Sequence, residues 1–306
     1  MSRKTALILG LFFLASFLFY LGVTREKHEG AKTLLTPLGR EIFKEADFIE
    51  IYQGKEKKGF KLEREGERWI LLSDFRKPAK DSLVEDFLKT LASLSGEERA
   101  SGEKYFSRFG VDQDQGLHIV LKKDGKVLAH FILGRRGPQW ESSFLRLEGE
   151  KKIYLVPTNL LAKLEIWEDK PAPPQEKAFL DLEVLSLPFD EIKELSFEGP
   201  QISWRLKRED KKFVFQKDKR EREISFLEGK KFLRKLFPLL AEEVVSPQEF
   251  KKPEATLTYV LRNGLRGRLY LGCQQKACLV KKREFVFRVK KENLKPLFEP
   301  GIKGQK

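Results

Sequence analysis

The sequence predicts an α+β protein: an N-terminal transmembrane helix followed by two homologous domains, each an antiparallel sheet covered by helices. Three observations carry this reading. Ala6 to Val23 form an apolar run of 18 residues without a charge. "FKLEREGERWILL", Phe60 to Leu72, recurs as "WRLKREDKKFVFQ", Trp204 to Gln216, at an offset of 144. The segments that follow the first copy then recur, in the same order, after the second. Runs of antiparallel strands with one or two covering helices define the α+β class.

The organisation follows in chain order. Residues 1–24 form the anchor: 18 residues of helix span roughly 27 Å, close to the hydrocarbon core of a bilayer. The apolar core of a cleaved signal is usually about 7 to 15 residues, followed by a small-x-small site, whereas here Tyr20 stands where a small residue is wanted. The run therefore reads as a retained signal-anchor. Arg3 and Lys4 favour a cytoplasmic N-terminus, with the bulk of the chain outside, in the periplasm of a cell with an inner membrane. Residues 25–46 are a connector.

The first repeat covers 47–164 and the second 190–300, each predicted as strand, hairpin, helix, hairpin, hairpin, short helix. The Phe60 and Trp204 segments alternate apolar and polar residues on both sides of a charged turn. The helix Asp81 to Leu94 places Leu83, Phe87, Leu88, Leu91 and Leu94 on one face, and Lys231 to Leu240 does the same with Phe232, Leu233, Leu236 and Leu239. Asp124-Gly125 and Asn263-Gly264 mark tight hairpins, since a type I′ turn needs positive φ at both central residues. Phe144 to Leu164 then matches Cys278 to Leu297. Between the repeats, 165–189 is a linker whose "PAPP" suits neither a helix nor a central strand. Residues 301–306 are a tail.

The duplicated unit, "RFGVD" at Arg108 to Asp112, the "LG" closing a strand before a hairpin that ends "IYLV", and the linker "FLDLEVLSLPFDEIKELSF" at Phe179 to Phe197 together resemble a bacterial family. It is the family catalogued as domain of unknown function 4340. The resemblance covers nearly the whole chain after the anchor, and its motifs are structural. It implies a membrane-anchored extracytoplasmic protein, of a kind sometimes encoded beside ATP-binding-cassette transporters related to gliding-motility systems. It implies no catalytic residues.

The residues themselves offer little chemistry. Of three histidines, His28 lies in the connector, while His118 and His130 share one predicted hairpin. The Asp124-Gly125 turn sets His118 opposite Phe131 and His130 opposite Ile119, which puts the imidazoles on opposite faces of the sheet and excludes a shared metal. No nucleophile elbow, metal helix or phosphate loop occurs in the sequence. "GRRG" at Gly134 to Gly137 reads as a hairpin loop rather than an anion cradle. The pairs Glu97-Glu98 and Glu242-Glu243 read as carboxylates on solvated helix ends. No catalytic, cofactor-binding or metal-binding residue is predicted, and no cofactor.

Cys273 and Cys278 are the only cysteines. Two thiolates without a nearby histidine do not make a structural zinc site, and the spacing is not that of a Cys-x-x-Cys redox pair. With Gln275-Lys276 as the turn they face each other across a hairpin, within reach of a disulfide in an oxidising compartment. Two free buried thiols are the alternative.

Charge separates the halves. Residues 192–306 hold 29 Lys and Arg against 15 Asp and Glu, whereas residues 1–191 hold 31 of each, so the whole formal charge of +14 lies beyond residue 191, most of it in the second repeat. Such a surface attracts polyanions, and runs such as "KKR" at Lys281 to Arg283 are expected at turns. No nucleic-acid signature accompanies the charge, so nucleic acid is not expected as a partner. The expected role is a non-enzymatic, membrane-anchored binding or scaffold protein, an accessory subunit of a membrane complex like that of an ATP-binding-cassette transporter, with a protein partner in that complex. One alternative is a binder of an anionic polymer or lipid surface through the basic repeat. The other is an enzyme with an interdomain site, which requires a deep pocket lined by perturbed titratable groups.

Overall fold

The architecture comes from a computed structural model that describes residues 35–302, except Lys211, Asp218, Lys219, Gln275 and Lys276, together with Ser16. The expected anchor, apart from Ser16, lies outside these residues. Among the described residues no helix is long and apolar enough to cross a membrane.

Alternating sequence becomes antiparallel sheet throughout. The first half runs β1 (Thr36–Pro37), β2 (Phe48–Gln53), β3 (Lys58–Glu65), β4 (Arg68–Leu72), β5 (Arg76–Pro78), helix α1 (Asp81–Ala92), β6 (Ser95–Ser101), helix α2 (Phe106–Phe109), β7 (Leu117–Lys123), β8 (Lys126–Arg136), β9 (Ser143–Leu147), β10 (Lys152–Val156) and helix α3 (Leu160–Lys163). A linker strand, β11 (Glu183–Leu185), follows. The second half runs β12 (Ile192–Glu198), β13 (Ser203–Glu209), β14 (Lys212–Lys217), β15 (Arg220–Ser225), helix α4 (Phe226–Leu233), β16 (Leu239–Leu240), β17 (Glu243–Val245), β18 (Ala255–Leu261), β19 (Arg266–Cys273), β20 (Ala277–Lys282), β21 (Phe285–Lys290) and helix α5 (Lys291–Phe298).

The two large sheets have the same topology. The first is ordered β5-β4-β3-β2-β7-β8-β9-β10-β6, with β1 added at the β6 edge, and the second β15-β14-β13-β12-β18-β19-β20-β21-β17. Equivalent strands occupy equivalent places along all nine positions. The offset of 144 holds side chain by side chain: Phe60 and Leu62 are buried inward on β3, and Trp204 and Leu206 on β13. On the next strands Trp69 and Leu71 match Phe213 and Phe215.

Each sheet buries one face under its long helix. Phe87, Leu88 and Leu91 of α1 pack on the first core, and Phe232 and Leu233 of α4 on the second. The second helix starts earlier than its apolar spacing predicts. Ser225 and Glu228 form a reciprocal capping box that begins it at Phe226. Pro238 disfavours helical geometry at the residue before it, and Leu239–Leu240 become strand β16 instead of a helix end. The Glu pairs also move: Glu97 and Glu98 sit on β6 and Glu242 and Glu243 at the start of β17, not on helix ends.

The motif "RFGVD" covers the outer face of the first sheet. Gly110 takes φ 68° to end α2, which turns Val111 down onto Ile132 and Ile153 as a small second core. Asp112 Oδ1 then accepts the N–H groups of Asp114 and Gln115, closing the turn.

The halves are joined by more than a chain connection. Phe179 of the linker is buried in the first core, while Val184, Leu185 and Leu187 belong to the second. Strand β11 pairs with β16. On β4 the alternation sends Trp69 and Leu71 into their own core and Ile70, 1% exposed, through the opposite face into the core of the second half.

Candidate functional site

The register of β7 and β8 differs from the one the Asp124-Gly125 turn predicts. β7 and β8 pair His118 with Ile132 and Val120 with His130, because the register shifts between Leu121 and Lys122. Leu121 pairs with Ala129 and Lys122 with Val127, which leaves Leu128 as one extra residue on β8. This β-bulge slips the strand by one place and turns both imidazoles to the same face. His118 Nδ1 and His130 Nε2 stand 2.9 Å apart.

The hydrogen bonds define the tautomers. His118 Nε2 lies 3.1 Å from the Gln113 carbonyl, which can only accept, so this nitrogen carries the proton. His118 Nδ1 is then bare and accepts from His130 Nε2–H. Tyr52 stacks on His118 with parallel rings 4.7 Å apart. Burial holds both imidazoles below the usual histidine range, and His118 further lowers His130. Around them, Glu148 favours the charged forms of both, as Glu50 does for His130; Arg146 opposes them at both rings and Lys57 at His118. The pair is a neutral, hydrogen-bonded strut. Among the described residues no cluster of three or more His, Cys, Asp or Glu could hold a metal ion.

Above the unfolded value near 6.5 both states are neutral at these sites and the full stability is present. As pH falls below it, the unfolded chain takes up protons that the fold refuses, and stability is lost down to the lower folded values. Each proton contributes a slope of at most about 1.4 kcal/mol per pH unit. Denaturant titrations between pH 7 and 5 should show stability falling with pH, and the double substitution His118→Gln with His130→Gln should flatten that dependence. An unchanged slope would contradict the buried neutral pair.

The other sequence candidates occupy structural positions. Cys273 and Cys278 pair across β19 and β20 with sulfurs 2.03 Å apart, a disulfide at the tip of the hairpin. Glu98 pairs with Lys152 at 2.8 Å and Glu242 with Lys290 at 3.2 Å, across neighbouring strands. Gly134 to Arg136 end strand β8 rather than forming a loop, and Arg136 is bound to Asp169 of the linker. On the outer face of the second sheet, Arg205 and Lys207 pair with Glu194 and Glu209 at 3.3 and 3.2 Å. Arg266 and Arg268 stand exposed on the same face.

A second group of charged side chains lies where the halves meet. A cleft of about 420 Å³ opens between Arg68 and Ile70 on β4, Asp181 and Glu183 on the linker, and Lys282 and Arg283 of the β20–β21 hairpin. Its apolar wall includes Leu187, Tyr259, Phe285 and Phe287. Burial pushes the Lys282 ammonium below the usual lysine range, partly offset by Asp181 and Glu183, while Arg283 and Arg68 lower it further. Arg68 leans toward Glu284 at 3.6 Å, and Asp81 spends Oδ1 on the Trp69 N–H at 2.7 Å. Sequence reading placed "KKR" at Lys281 to Arg283 in a turn. The strand continues through Lys282, and the turn begins at Arg283, with φ 55°.

Fold and cleft together define a tandem α+β protein in which two copies of one sheet topology share a junction. The family model described as "Domain of unknown function (DUF4340)" matches residues 69–258, more than half of the chain, and the protein belongs to that family. The match begins on β4, crosses the linker and ends on β18. No curated protein matches the chain.

Proposed function

We propose that this chain is a membrane-anchored, extracytoplasmic binding protein without catalysis of its own, serving as an accessory subunit of a membrane complex of the ATP-binding-cassette kind. The observation that carries the reading is the asymmetry of two sheets of equal topology. The outer face of the first is covered by the Val111 segment, while that of the second presents Arg205, Lys207, Arg266 and Arg268. A flat, polar face with two arginines free of described carboxylates suits docking to an acidic partner. The apolar run Ala6 to Val23 supports the anchor, and the Cys273–Cys278 pair supports an oxidising compartment.

The test is detergent extraction of the full chain from its native membrane, followed by affinity purification at low and high salt. A stoichiometric membrane protein is expected, and its recovery should fall with Arg266→Glu and Arg268→Glu together. Recovery of the bare chain alone would sink the proposal. The same exposed arginines favour a second reading, docking to an anionic polymer or lipid surface. That reading expects co-sedimentation with anionic vesicles or polymer that fades as salt rises, with no protein partner.

A further inference from the structure

The cleft between the halves contains a residue that breaks the pattern of its strand. Side chains alternate along β20, and Cys278 and Val280 are buried inward. Lys282 continues that inward set. The equivalent position in the first half follows from pairing: Leu271 opposes Val280 as Leu133 opposes Leu145, so Lys282 stands where the first sheet has Leu147. A leucine there packs on the core. An ammonium there is partly withdrawn from water beside Phe285 and Phe287, and no described carboxylate stands within ion-pairing distance of it. Burying a charge without a hydrogen-bonded counterion is costly, so such a group persists where something answers it.

The cleft has room for the answer. Its volume is about 420 Å³, comparable with small-ligand sites, and it combines an apolar wall with a few convergent polar groups. Arg283 stands beside Lys282 with no described carboxylate paired to it, and Arg68 completes the cationic side. Asp181 and Glu183 line the linker part of the cleft, which repels negative charge on a ligand toward Lys282 and Arg283 and leaves Leu187, Tyr259 and Phe287 to meet its body.

We propose that this interdomain cleft is a binding site for a small organic anion, a carboxylate or phosphate carried on an apolar body, with Lys282 as its counterion, Arg283 as a second cation and the aromatic wall holding the rest. The site goes beyond the scaffold reading and stands whether or not the chain serves a membrane complex. An incoming anion supplies the partner that Lys282 lacks, which raises the affinity of the ammonium for its proton and couples the two halves through one ligand.

Full-length protein in nanodiscs, titrated calorimetrically with 4-phenylbutyrate and phenyl phosphate, tests this. Both or either should bind, the better of the two assigning the headgroup, while 4-phenylbutanol and 4-phenylbutylamine should bind at least about tenfold more weakly. Lys282→Leu restores the residue type of the first copy and should fold at least as stably, yet lose at least about tenfold in anion affinity. In the unsubstituted protein, whichever of the two anions binds better should, when bound, slow acetylation of Lys282, read by mass spectrometry, without changing that of Lys193 or Lys251. Equal binding of the alcohol, unchanged affinity in the variant, unprotected Lys282, or no binding of either anion would each overturn the proposal.

Discussion

Trp204→Ala is expected to cost the second half about 3–5 kcal/mol, the range for truncating a buried aromatic. The indole is 3% exposed, with ring centroids of Phe232 at 5.3 Å, Phe215 at 6.0 Å and Phe197 at 6.1 Å. It therefore joins three strands and helix α4. Its Nε1–H also donates to the Leu297 carbonyl at 2.8 Å, which ties the end of α5 to the sheet. Truncation leaves a cavity and an unsatisfied carbonyl at once. Trp204→Phe should keep most of the packing and lose the hydrogen bond, at about 1–2 kcal/mol plus the smaller ring. Urea denaturation followed by far-ultraviolet circular dichroism measures both. A loss under about 1 kcal/mol for the alanine variant would show that this cluster does not hold the second half together.

Ile70→Ala should cost about 2–4 kcal/mol, and its effect should appear in the half that does not contain it. The side chain leaves β4 on the face away from its own core and is buried among residues of the second. Removing it deepens the cleft and weakens the seal between the halves. Ile70→Asp places an unpaired carboxylate at the same point and should open the junction. Limited proteolysis within residues 165–189, held to the first core by Ile166 and Phe179 and to the second by Leu185 and Leu187, should then accelerate severalfold. Unchanged cleavage in both variants would mean that the halves meet without depending on each other.

Much of this architecture was legible because strand alternation and a constant offset report directly on which side chains turn inward. The offset alone aligns Phe60 with Trp204 and Trp69 with Phe213. The misses have identifiable causes. A β-bulge adds one residue without a sequence mark, so Leu128 silently reversed the prediction for His118 and His130. The start of α4 was written in Ser225 and Glu228, but the apolar spacing after Lys231 outweighed the capping signal. The last hairpin was matched from Phe144 and Cys278, whereas the pairing equates Leu145 with Val280. That one-place slip concealed Lys282 as an inward residue, and a run of three basic residues looked like a turn. The cleft itself was beyond any local signal, since its walls come from β4, the linker, β18 and the β20–β21 hairpin.

The passage of Ile70 into the opposite core has a consequence for descent. A duplicated unit begins as two exchangeable copies, each free to be lost, recombined or replaced. Once one copy lends a side chain to the interior of the other, that freedom ends, because a lone copy would expose an isoleucine on one side and leave a hole on the other. The heritable module becomes the pair, with its seam in the middle. The family match from Trp69 to Thr258 takes in most of the first repeat, the linker and the larger part of the second.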